Sequence, residues 1–339
     1  MSRIAVMGAG SIGGYVGGRL IAAGADVVLI GRERLQREIG AHGLKLSDYR
    51  GYHEALAPQQ VTVATSAEAA AGADLVLVTV KSAATAAAGA ELAQVLRPGA
   101  VAISLQNGLG NAAVLRAALP QRIVLAGMVP FNVVQGGEGR FHQGTEGELE
   151  VERHAALEPF LALFARAGLP LVQQADLAPV QWGKLLLNLN NPINALCGLP
   201  LRQQLSQRSY RRCLALAQRE ALGLLAGAGL VPARLTALPP HWIPRVLELP
   251  DVLFRRIAAR MLAIDPLARS SMWEDLQAGR ATEVDWINGE IVRLAQNQGR
   301  RAPVNARLAA LVHAAGQGGR RDWSGPELLA QLREVATAG

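Results

Sequence analysis

The sequence predicts an α/β fold: a Rossmann-type doubly wound sheet followed by a C-terminal all-helical domain. Three observations predict it. Short apolar runs alternate with helical periods up to about residue 175, a glycine-rich turn follows the first run, and helical periodicity dominates the rest of the chain. The chain is 339 residues long, which favours two domains over one. We place them at 1–176 and 177–339.

Composition narrows the class of protein. Half of the residues are hydrophobic, enough for sizeable cores. The two cysteines, Cys197 and Cys213, provide neither a disulfide framework nor metal-ligand spacing. No apolar run reaches the roughly 18 residues that a membrane helix needs, and the N-terminus has no signal-peptide pattern. These features predict a cytoplasmic protein without a bound metal or a membrane partner.

The net charge of +7 has two explanations, a nucleic-acid partner or an anionic small ligand with a generally basic surface. The arginines are dispersed, and aromatic residues make up only 4% of the chain. Nucleic-acid sites combine a basic patch with a recognisable motif, and neither is present. The sequence therefore favours a small anionic ligand and no nucleic acid.

The first apolar run, Ile4–Met7, ends in a glycine-rich turn, after which a helical pattern and a second strand at Asp26–Ile30 follow. The turn reads Gly8-Ala9-Gly10-Ser11-Ile12-Gly13. A strand–turn–helix context makes this G-x-G-x-x-G motif a dinucleotide fingerprint rather than an ordinary glycine turn. Gly8 permits the tight turn, Gly10 lets the backbone approach a pyrophosphate, and Gly13 lets the helix pack on the strand. The first domain is therefore predicted to bind a dinucleotide.

The residues after the second strand indicate which dinucleotide. An NAD enzyme usually carries an acidic residue there, whereas this chain has Gly31-Arg32. A guanidinium suits the 2′-phosphate of NADP. Glu33 is adjacent and keeps NAD open, but Arg32 favours NADPH/NADP.

Further strands are predicted at 61–64, 75–80, 100–105 and 123–128. Lys81 and Asn107 each follow one of them. Either residue alone would be attributed to solvation or turn chemistry. Since strand ends line the ligand crevice of a parallel sheet, the two together favour a role at the cofactor. Residues 131–151 predict antiparallel strands that extend the sheet, with His142 as a solvated strand residue.

Helices are predicted at 180–197, 209–228, 242–263, 270–278, 282–298, 303–315 and 324–336. The first carries Lys184, Asn188 and Asn191 on one stripe of an otherwise apolar helix, flanked by Asn194. Pro192 predicts a kink at this stripe. Two interpretations stay open: a polar pocket for a hydrogen-bonding ligand, and a structural polar network.

Two later helix starts carry polar groups that could bind a ligand. Ser271 lies at the start of one helix, where backbone donors attract anions, although simple capping explains serines there equally well. Glu283 lies at the start of the next, where a carboxylate is common because of the helix dipole.

These motifs together resemble the ketopantoate reductase family over roughly residues 3–315. The resemblance is carried by G-A-G-S-I-G-G, Lys81, Q-N-G-L-G, W-G-K-L-L-L-N, S-S-M-W-E-D-L and T-E-V-D-W-I-N-G. It implies NADPH-dependent reduction of 2-dehydropantoate to (R)-pantoate in pantothenate and coenzyme A biosynthesis, and a substrate and catalytic role for the helical domain.

The resemblance also implies residue roles. Lys184 is the catalytic lysine, which stabilises the developing oxyanion and then protonates it. Glu283 is expected next to this lysine and the cofactor. Ser271 is expected to hold the substrate carboxylate. The side-chain amides of Asn107, Asn188 and Asn191 are expected to bind the substrate. Arg32 and Lys81 are expected to bind the cofactor, and Asn107 is expected to contact the cofactor as well.

The chain departs from the family pattern in one place. The family commonly has a second asparagine eight residues after the lysine and before a proline, whereas here Asn191 comes seven residues after it. Whether Asn191 or Asn194 serves as the second substrate asparagine stays open, as do the role of residues 232–268 and a homodimer. The alternatives in function are a sibling NADPH-dependent reductase of another 2-oxo acid and a catalytically idle NADP-binding protein. Retention of both Lys184 and Glu283 argues against the idle protein, because each is costly to bury alone.

Overall fold

A computed structural model describes residues 2–257 and 268–337 of the chain. The chain divides into two compact units, Met1–Leu177 and Ala178–Gly339. The predicted domain boundary, between residues 176 and 177, lies one residue before this division. Within the described residues, no helix is both long and apolar enough to cross a membrane.

The first unit contains twelve strands and five α-helices among its described residues. The strands are β1 (Arg3–Met7), β2 (Asp26–Ile30), β3 (Leu44–Asp48), β4 (His53–Leu56), β5 (Thr62–Ala64), β6 (Leu75–Val78), β7 (Val101–Ser104), β8 (Ile123–Met128), β9 (Val133–Gly137), β10 (Arg140–Gln143), β11 (Leu149–Glu152) and β12 (Leu171–Gln174). The helices are α1 (Ser11–Ala22), α2 (Glu33–His42), α3 (Thr85–Val95), α4 (Asn111–Ala118) and α5 (Glu158–Arg166).

Eight strands form the large sheet in the order β12-β11-β8-β7-β6-β1-β2-β5. From β8 to β5 all neighbours run parallel, and β11 is antiparallel to β8. Along β1, Ile4 and Val6 face one apolar core while Ala5 and Met7 face the other. A sheet buried on both faces by helices requires such uninterrupted apolar strands. The predicted doubly wound fold is confirmed.

A second sheet of four strands, in the order β4-β3-β10-β9, packs on α1. The prediction that residues 131–151 extend the large sheet is therefore wrong for β9 and β10 and right only for β11. Glycines on α1 explain the difference. A Cβ at Gly14 would lie 2.5 Å from the Phe141 ring of β10, and one at Gly18 would lie 2.6 Å from Leu44 of β3. Because both glycines lack a side chain, the small sheet can pack closely on this helix.

The described residues of the second unit form helices and connecting segments, without a strand. Its helices are α6 (Ala178–Asn188), α7 (Asn191–Cys197), α8 (Leu201–Ser206), α9 (Arg208–Gly227), α10 (Ile243–Leu247), α11 (Asp251–Ile257), α12 (Ser271–Gln277), α13 (Val284–Asn297), α14 (Pro303–Gly316) and α15 (Gly325–Thr337). The helix predicted at 242–263 is divided into α10 and α11, with Pro250 in the interruption, and its last six residues lie outside the described residues. The short helix α8 was not predicted.

The predicted helix at 180–197 does not kink but ends and restarts. Helix α6 ends at Asn188, and α7 begins at Asn191 with Pro192 in its first turn. Proline has no amide to donate to the Asn188 carbonyl, and its ring crowds that oxygen. In a first turn the same proline is well tolerated, because the amide there needs no helical acceptor. The single polar stripe is thus divided between two helices.

Candidate active site

The glycine-rich turn joins β1 to α1 in a fixed geometry. The backbone amides of Gly8 and Ala9 both donate to the Ile30 carbonyl at the end of β2, at 3.0 and 2.8 Å. Gly8 has a φ of +100°, and a Cβ there would lie 2.5 Å from the Val80 backbone nitrogen. Only glycine suits both the dihedral and the close approach.

The N-terminus of α1 has space beside it. A Cβ placed at Gly10 would meet no atom closer than 3.9 Å, whereas one at Gly13 would lie 2.3 Å from Thr79 Oγ1. Gly13 thus lets α1 pack on the chain after β6, and Gly10 leaves the helix end open. The first-turn amides of Ser11, Ile12 and Gly13 have no acceptor within the helix. Such a helix end, with the positive end of its dipole, can hold a diphosphate.

Arg32 lies where the sequence predicts it, immediately after β2. It is the N-cap residue of α2 and is exposed, and Glu33 is exposed as the first residue of that helix. Because β2 neighbours β1, the guanidinium and the glycine-rich turn belong to adjacent strand ends. This is the position at which dinucleotide folds contact the adenosine ribose.

Lys81 and Asn107 lie at the same edge of the large sheet. They follow β6 and β7, which run parallel with Val78 opposite Ser104. Both strands lie on the side of β1 away from β2. The strand order therefore reverses between β1 and β6, the position where ligands bind in open α/β sheets. Lys81 is exposed there and Asn107 is partly buried.

Lys184 is the seventh residue of α6 and lies partly buried between apolar neighbours, including the buried side chains of Trp182, Leu185 and Leu186. Burial lowers the pKa of Lys184 to about 8 from its ordinary value of 10.5. Water solvates an ammonium better than an apolar interior does, so desolvation favours the neutral amine. At neutral pH this lysine still carries its proton but can release it readily.

Asn188 and Asn191 flank the interruption between α6 and α7. Both are partly buried, and within residues 2–257 and 268–337 their side-chain amides form no hydrogen bond. The backbone carbonyl of Asn191 accepts from Ser270 Oγ at 3.3 Å. These two amides keep their hydrogen-bonding capacity for a ligand.

Asn194, in contrast, belongs to a structural network. Its Nδ2 donates to the Leu199 carbonyl at 2.9 Å and to Gln204 Oε1 at 3.0 Å, and its Oδ1 accepts from the Ser270 amide at 2.8 Å. Gln204 Nε2 in turn donates to Asn190 Oδ1 at 2.7 Å. Asn194 and Gln204 are fully buried. The structural-network interpretation therefore holds for Asn194, which has no amide proton left for a substrate, and the ligand interpretation stays a prediction for Asn188 and Asn191.

Ser270 and Ser271 have different roles at the start of α12. Ser270 is the N-cap residue, and its hydroxyl accepts from the Trp273 amide at 3.1 Å. Ser271 is the first residue of the helix and is exposed. The capping function therefore belongs to Ser270, and α12 is fixed to α7 through the Ser270 contacts with Asn191 and Asn194.

Glu283 is the N-cap residue of α13 and is buried, with 7% of its surface exposed. The loop before it is held to α12 by Arg280, whose Nε donates to Asp275 Oδ1 at 3.0 Å and whose amide donates to the Asp275 carbonyl at 2.8 Å. Asp275 is itself 2% exposed. This pair of the buried Asp275 and the exposed Arg280 connects the helix that begins at Ser271 with the loop before Glu283.

Comparison with known proteins places the chain in a family. Residues 4–156 match the model described as "Ketopantoate reductase PanE/ApbA", and residues 176–316 match that of its C-terminal domain. The chain belongs to the ketopantoate reductase family. It is therefore an oxidoreductase of that family, as the sequence motifs predict.

Individual relatives cover nearly the whole chain. The 2-dehydropantoate 2-reductase of Halobacterium salinarum is 31% identical over 325 residues, 94% of this chain and all of the relative. The crystal structure of a PanE/ApbA family ketopantoate reductase from Ralstonia eutropha superposes with a TM-score of 0.79 at 30% identity, covering 93% of this chain and 99% of that one. A ternary structure of D-mandelate dehydrogenase has the same fold, with a TM-score of 0.76 at 19% identity over 93% and 99% of the two chains.

Sequence reasoning missed the residues that hold the candidate site residues of each unit in place. They are Thr79, Ser82, Thr85, Ser104, Gln106 and Asn111 in the first unit, and Asn190, Gln204, Asp275 and Arg280 in the second. Most of their partners come from other segments, so no period or motif within one segment indicates the pairing, although Ser104 and Gln106, and Asp275 and Arg280, are close in sequence. The positions of Ser82, directly after Lys81, and of Gln106, directly before Asn107, were usable signals.

Proposed function

We propose that this protein reduces 2-dehydropantoate to (R)-pantoate with NADPH, a step in pantothenate and coenzyme A biosynthesis. Membership of the family supports the reaction class. The observation that carries the proposal is Lys184, a lysine on a largely apolar helix whose pKa is lowered to about 8 by burial. A proton donor is most effective when its pKa lies near the working pH.

The first unit suits a nicotinamide dinucleotide. The space beside Gly10, where a Cβ would meet no atom closer than 3.9 Å, would accommodate a diphosphate against the amides of Ser11, Ile12 and Gly13. Arg32 after β2 would pair with a 2′-phosphate, which favours NADPH over NADH. When bound, the reduced nicotinamide supplies a hydride to the carbonyl carbon of the substrate. Lys81 and Asn107 would orient that end of the cofactor.

Lys184 would act on the carbonyl oxygen of the substrate. Negative charge develops on this oxygen as the carbon is reduced, and an ammonium directed at it stabilises the charge in a site of low polarity. Lys184 then transfers its proton to the oxygen and gives the alcohol. Glu283, buried at the start of α13, would hold the amine and favour its charged form.

The remaining polar groups would orient the substrate. Ser271 is proposed to hold the substrate carboxylate, and Asn107 is proposed to orient the substrate. Asn188 and Asn191, whose amides form no hydrogen bond within the described residues, would bind the terminal hydroxyl of 2-dehydropantoate. A site that binds a hydroxyl rejects analogues without one, because its own polar groups would stay unpaired.

The test is a panel of 2-oxo acids assayed by NADPH and NADH absorbance. We expect the highest kcat/KM with 2-dehydropantoate and NADPH. The key comparison is 2-oxo-3,3-dimethylbutyrate, which retains the carboxylate and the two methyl groups of 2-dehydropantoate but has no hydroxyl. Equal kcat/KM for these two acids would rule out the proposed use of Asn188 and Asn191.

A second candidate is the reduction of a different 2-oxo acid. D-mandelate dehydrogenase, which has the same fold, is described in complex with NADH and anilino(oxo)acetate. The fold therefore accommodates a different acid and a different nicotinamide cofactor. Preference for an aromatic or branched 2-oxo acid in the panel would favour this candidate, and preference for NADH would assign Arg32 a different role.

A further inference from the structure

Two loops of the first unit are joined by reciprocal hydrogen bonds on either side of Lys81 and Asn107. Gln106, next to Asn107, donates from Nε2 to the carbonyl of Val80, next to Lys81, at 3.0 Å. In the opposite direction, Ser82 donates from Oγ to the carbonyl of Asn107 at 3.0 Å. Each loop thus holds the backbone of the other beside its candidate site residue.

Three further side chains complete the connection. Asn111 Nδ2 donates to the Asn107 carbonyl at 2.6 Å and to Ser82 Oγ at 3.1 Å. Thr85 Oγ1 donates to Asn111 Oδ1 at 2.8 Å and accepts from Gln106 Nε2 at 2.7 Å. Gln106 Oε1 accepts from Ser104 Oγ at 3.0 Å. Both protons of each amide group are used.

This network, defined as Ser82, Thr85, Ser104, Gln106 and Asn111, is buried, with 2–8% of each residue exposed. An unsatisfied polar group at such depth costs about 1–3 kcal/mol, so a fully satisfied network holds one arrangement. Three of its bonds reach the carbonyls of Val80 and Asn107. The others connect the donors of these three bonds to one another and to the two remaining residues of the network.

We propose that this network consists of positioning residues that hold Lys81 and Asn107 as one unit for the nicotinamide half of the cofactor. The topology indicates this half. Arg32 follows β2 on one side of β1, whereas Lys81 and Asn107 follow β6 and β7 on the other. A dinucleotide whose diphosphate lies at the end of β1 therefore extends its second nucleoside over β6 and β7. The inference rests on the proposed function in one respect, namely that the cofactor is a nicotinamide dinucleotide.

The experiment compares Thr85→Val, which keeps the shape of the side chain but removes the hydroxyl, with Thr85→Ser, which retains it. Affinity is measured by titration for NADPH and for 2′-phospho-ADP-ribose, which lacks the nicotinamide. We expect Thr85→Val, which removes the hydrogen bonds of this hydroxyl with Asn111 and Gln106, to raise the Kd of NADPH about tenfold. The Kd of 2′-phospho-ADP-ribose should change less than twofold, and Thr85→Ser should restore NADPH binding.

A double-mutant cycle separates positioning from general stability. In a protein that already carries Lys81→Ala and Asn107→Ala, Thr85→Val should weaken NADPH binding no further, because residues that act through one another are not additive. Asn111→Ala supplies a second test should Thr85→Val not fold. Val114→Ala, on the exposed face of α4, is its matched control and should bind both ligands normally.

Equal weakening of both ligands, additive effects in the cycle, or unchanged NADPH binding in both network variants would overturn the inference. None of these measurements requires turnover, so failure to reduce 2-dehydropantoate would contradict the proposed function and leave the inference standing. If the unmodified protein binds NADH rather than NADPH, the pair NADH and ADP-ribose performs the same test.

Discussion

Lys184 allows the sharpest prediction, because its pKa of about 8 determines how activity depends on pH. In the proposed mechanism the protonated amine is the acid, and its population decreases as pH rises through the pKa. Roughly nine tenths of the molecules carry the proton at pH 7 and roughly one tenth at pH 9. The kcat/KM for 2-oxo acid reduction should therefore be nearly constant below pH 7 and about tenfold lower at pH 9 than at pH 7.

Replacement of the lysine tests the same group. Lys184→Ala should lower kcat by about 10²–10⁴, the usual contribution of general acid–base catalysis, which corresponds to about 3–5 kcal/mol of barrier. Lys184→Arg keeps the positive charge, but its guanidinium does not release a proton in this pH range. Its residual activity should therefore not show the decrease centred near pH 8.

The assay is NADPH absorbance under saturating cofactor, with kcat/KM measured at half-unit steps from pH 6 to 10. Lys45→Ala is the matched control, because Lys45 is an exposed lysine on β3; this variant should retain the pH profile of the unmodified protein. Constant kcat/KM up to pH 10, or near-normal turnover in Lys184→Ala, would refute the assignment of Lys184 as the acid.

Three further predictions concern cofactor, substrate and stability. Arg32→Ala should raise the KM for NADPH by about tenfold or more and leave NADH use nearly unchanged, since only NADPH has a 2′-phosphate; equal kcat/KM for both cofactors in the unmodified protein would contradict this. Asn188→Ala should lower kcat/KM for 2-dehydropantoate much more than for 2-oxo-3,3-dimethylbutyrate, and an equal loss for both acids would indicate a structural role. Arg211 is fully buried and donates to the carbonyls of Leu205, Leu247 and Leu249 at 3.0, 3.0 and 2.7 Å. Arg211→Met should therefore destabilise the protein by about 3 kcal/mol in urea unfolding, whereas the exposed Arg202→Ala should cost less than about 0.5 kcal/mol; equal midpoints for the two variants would contradict the structural role of Arg211.

The amino-acid sequence alone determined the fold class and where most elements lie. Apolar runs such as Ile4–Met7 and Ile123–Met128 are strands in the structure, because a parallel sheet covered on both faces requires continuous apolar residues. The glycine-rich turn was equally readable, since Gly8 needs a positive φ and Gly13 needs close packing. Each of these features leaves a local pattern in the sequence, an apolar run or a fixed glycine spacing, even though Gly8 and Gly13 pack against the distant Val80 and Thr79.

Tertiary structure decided what depends on contacts between distant segments. Residues 133–143 form strands as predicted, but they join β3 in a separate sheet, because Gly14 and Gly18 leave room for that sheet on α1. Asn188, Asn191 and Asn194 look equivalent in sequence, yet Asn194 is bound by Gln204 and Ser270 from other segments and the first two are not. A hydrogen bond depends on distance and direction in space, and periodicity along the chain contains neither for partners many residues apart. The sequence thus identified which residues are polar in an apolar setting, and only the folded chain separated those that support the site from those still available to a ligand.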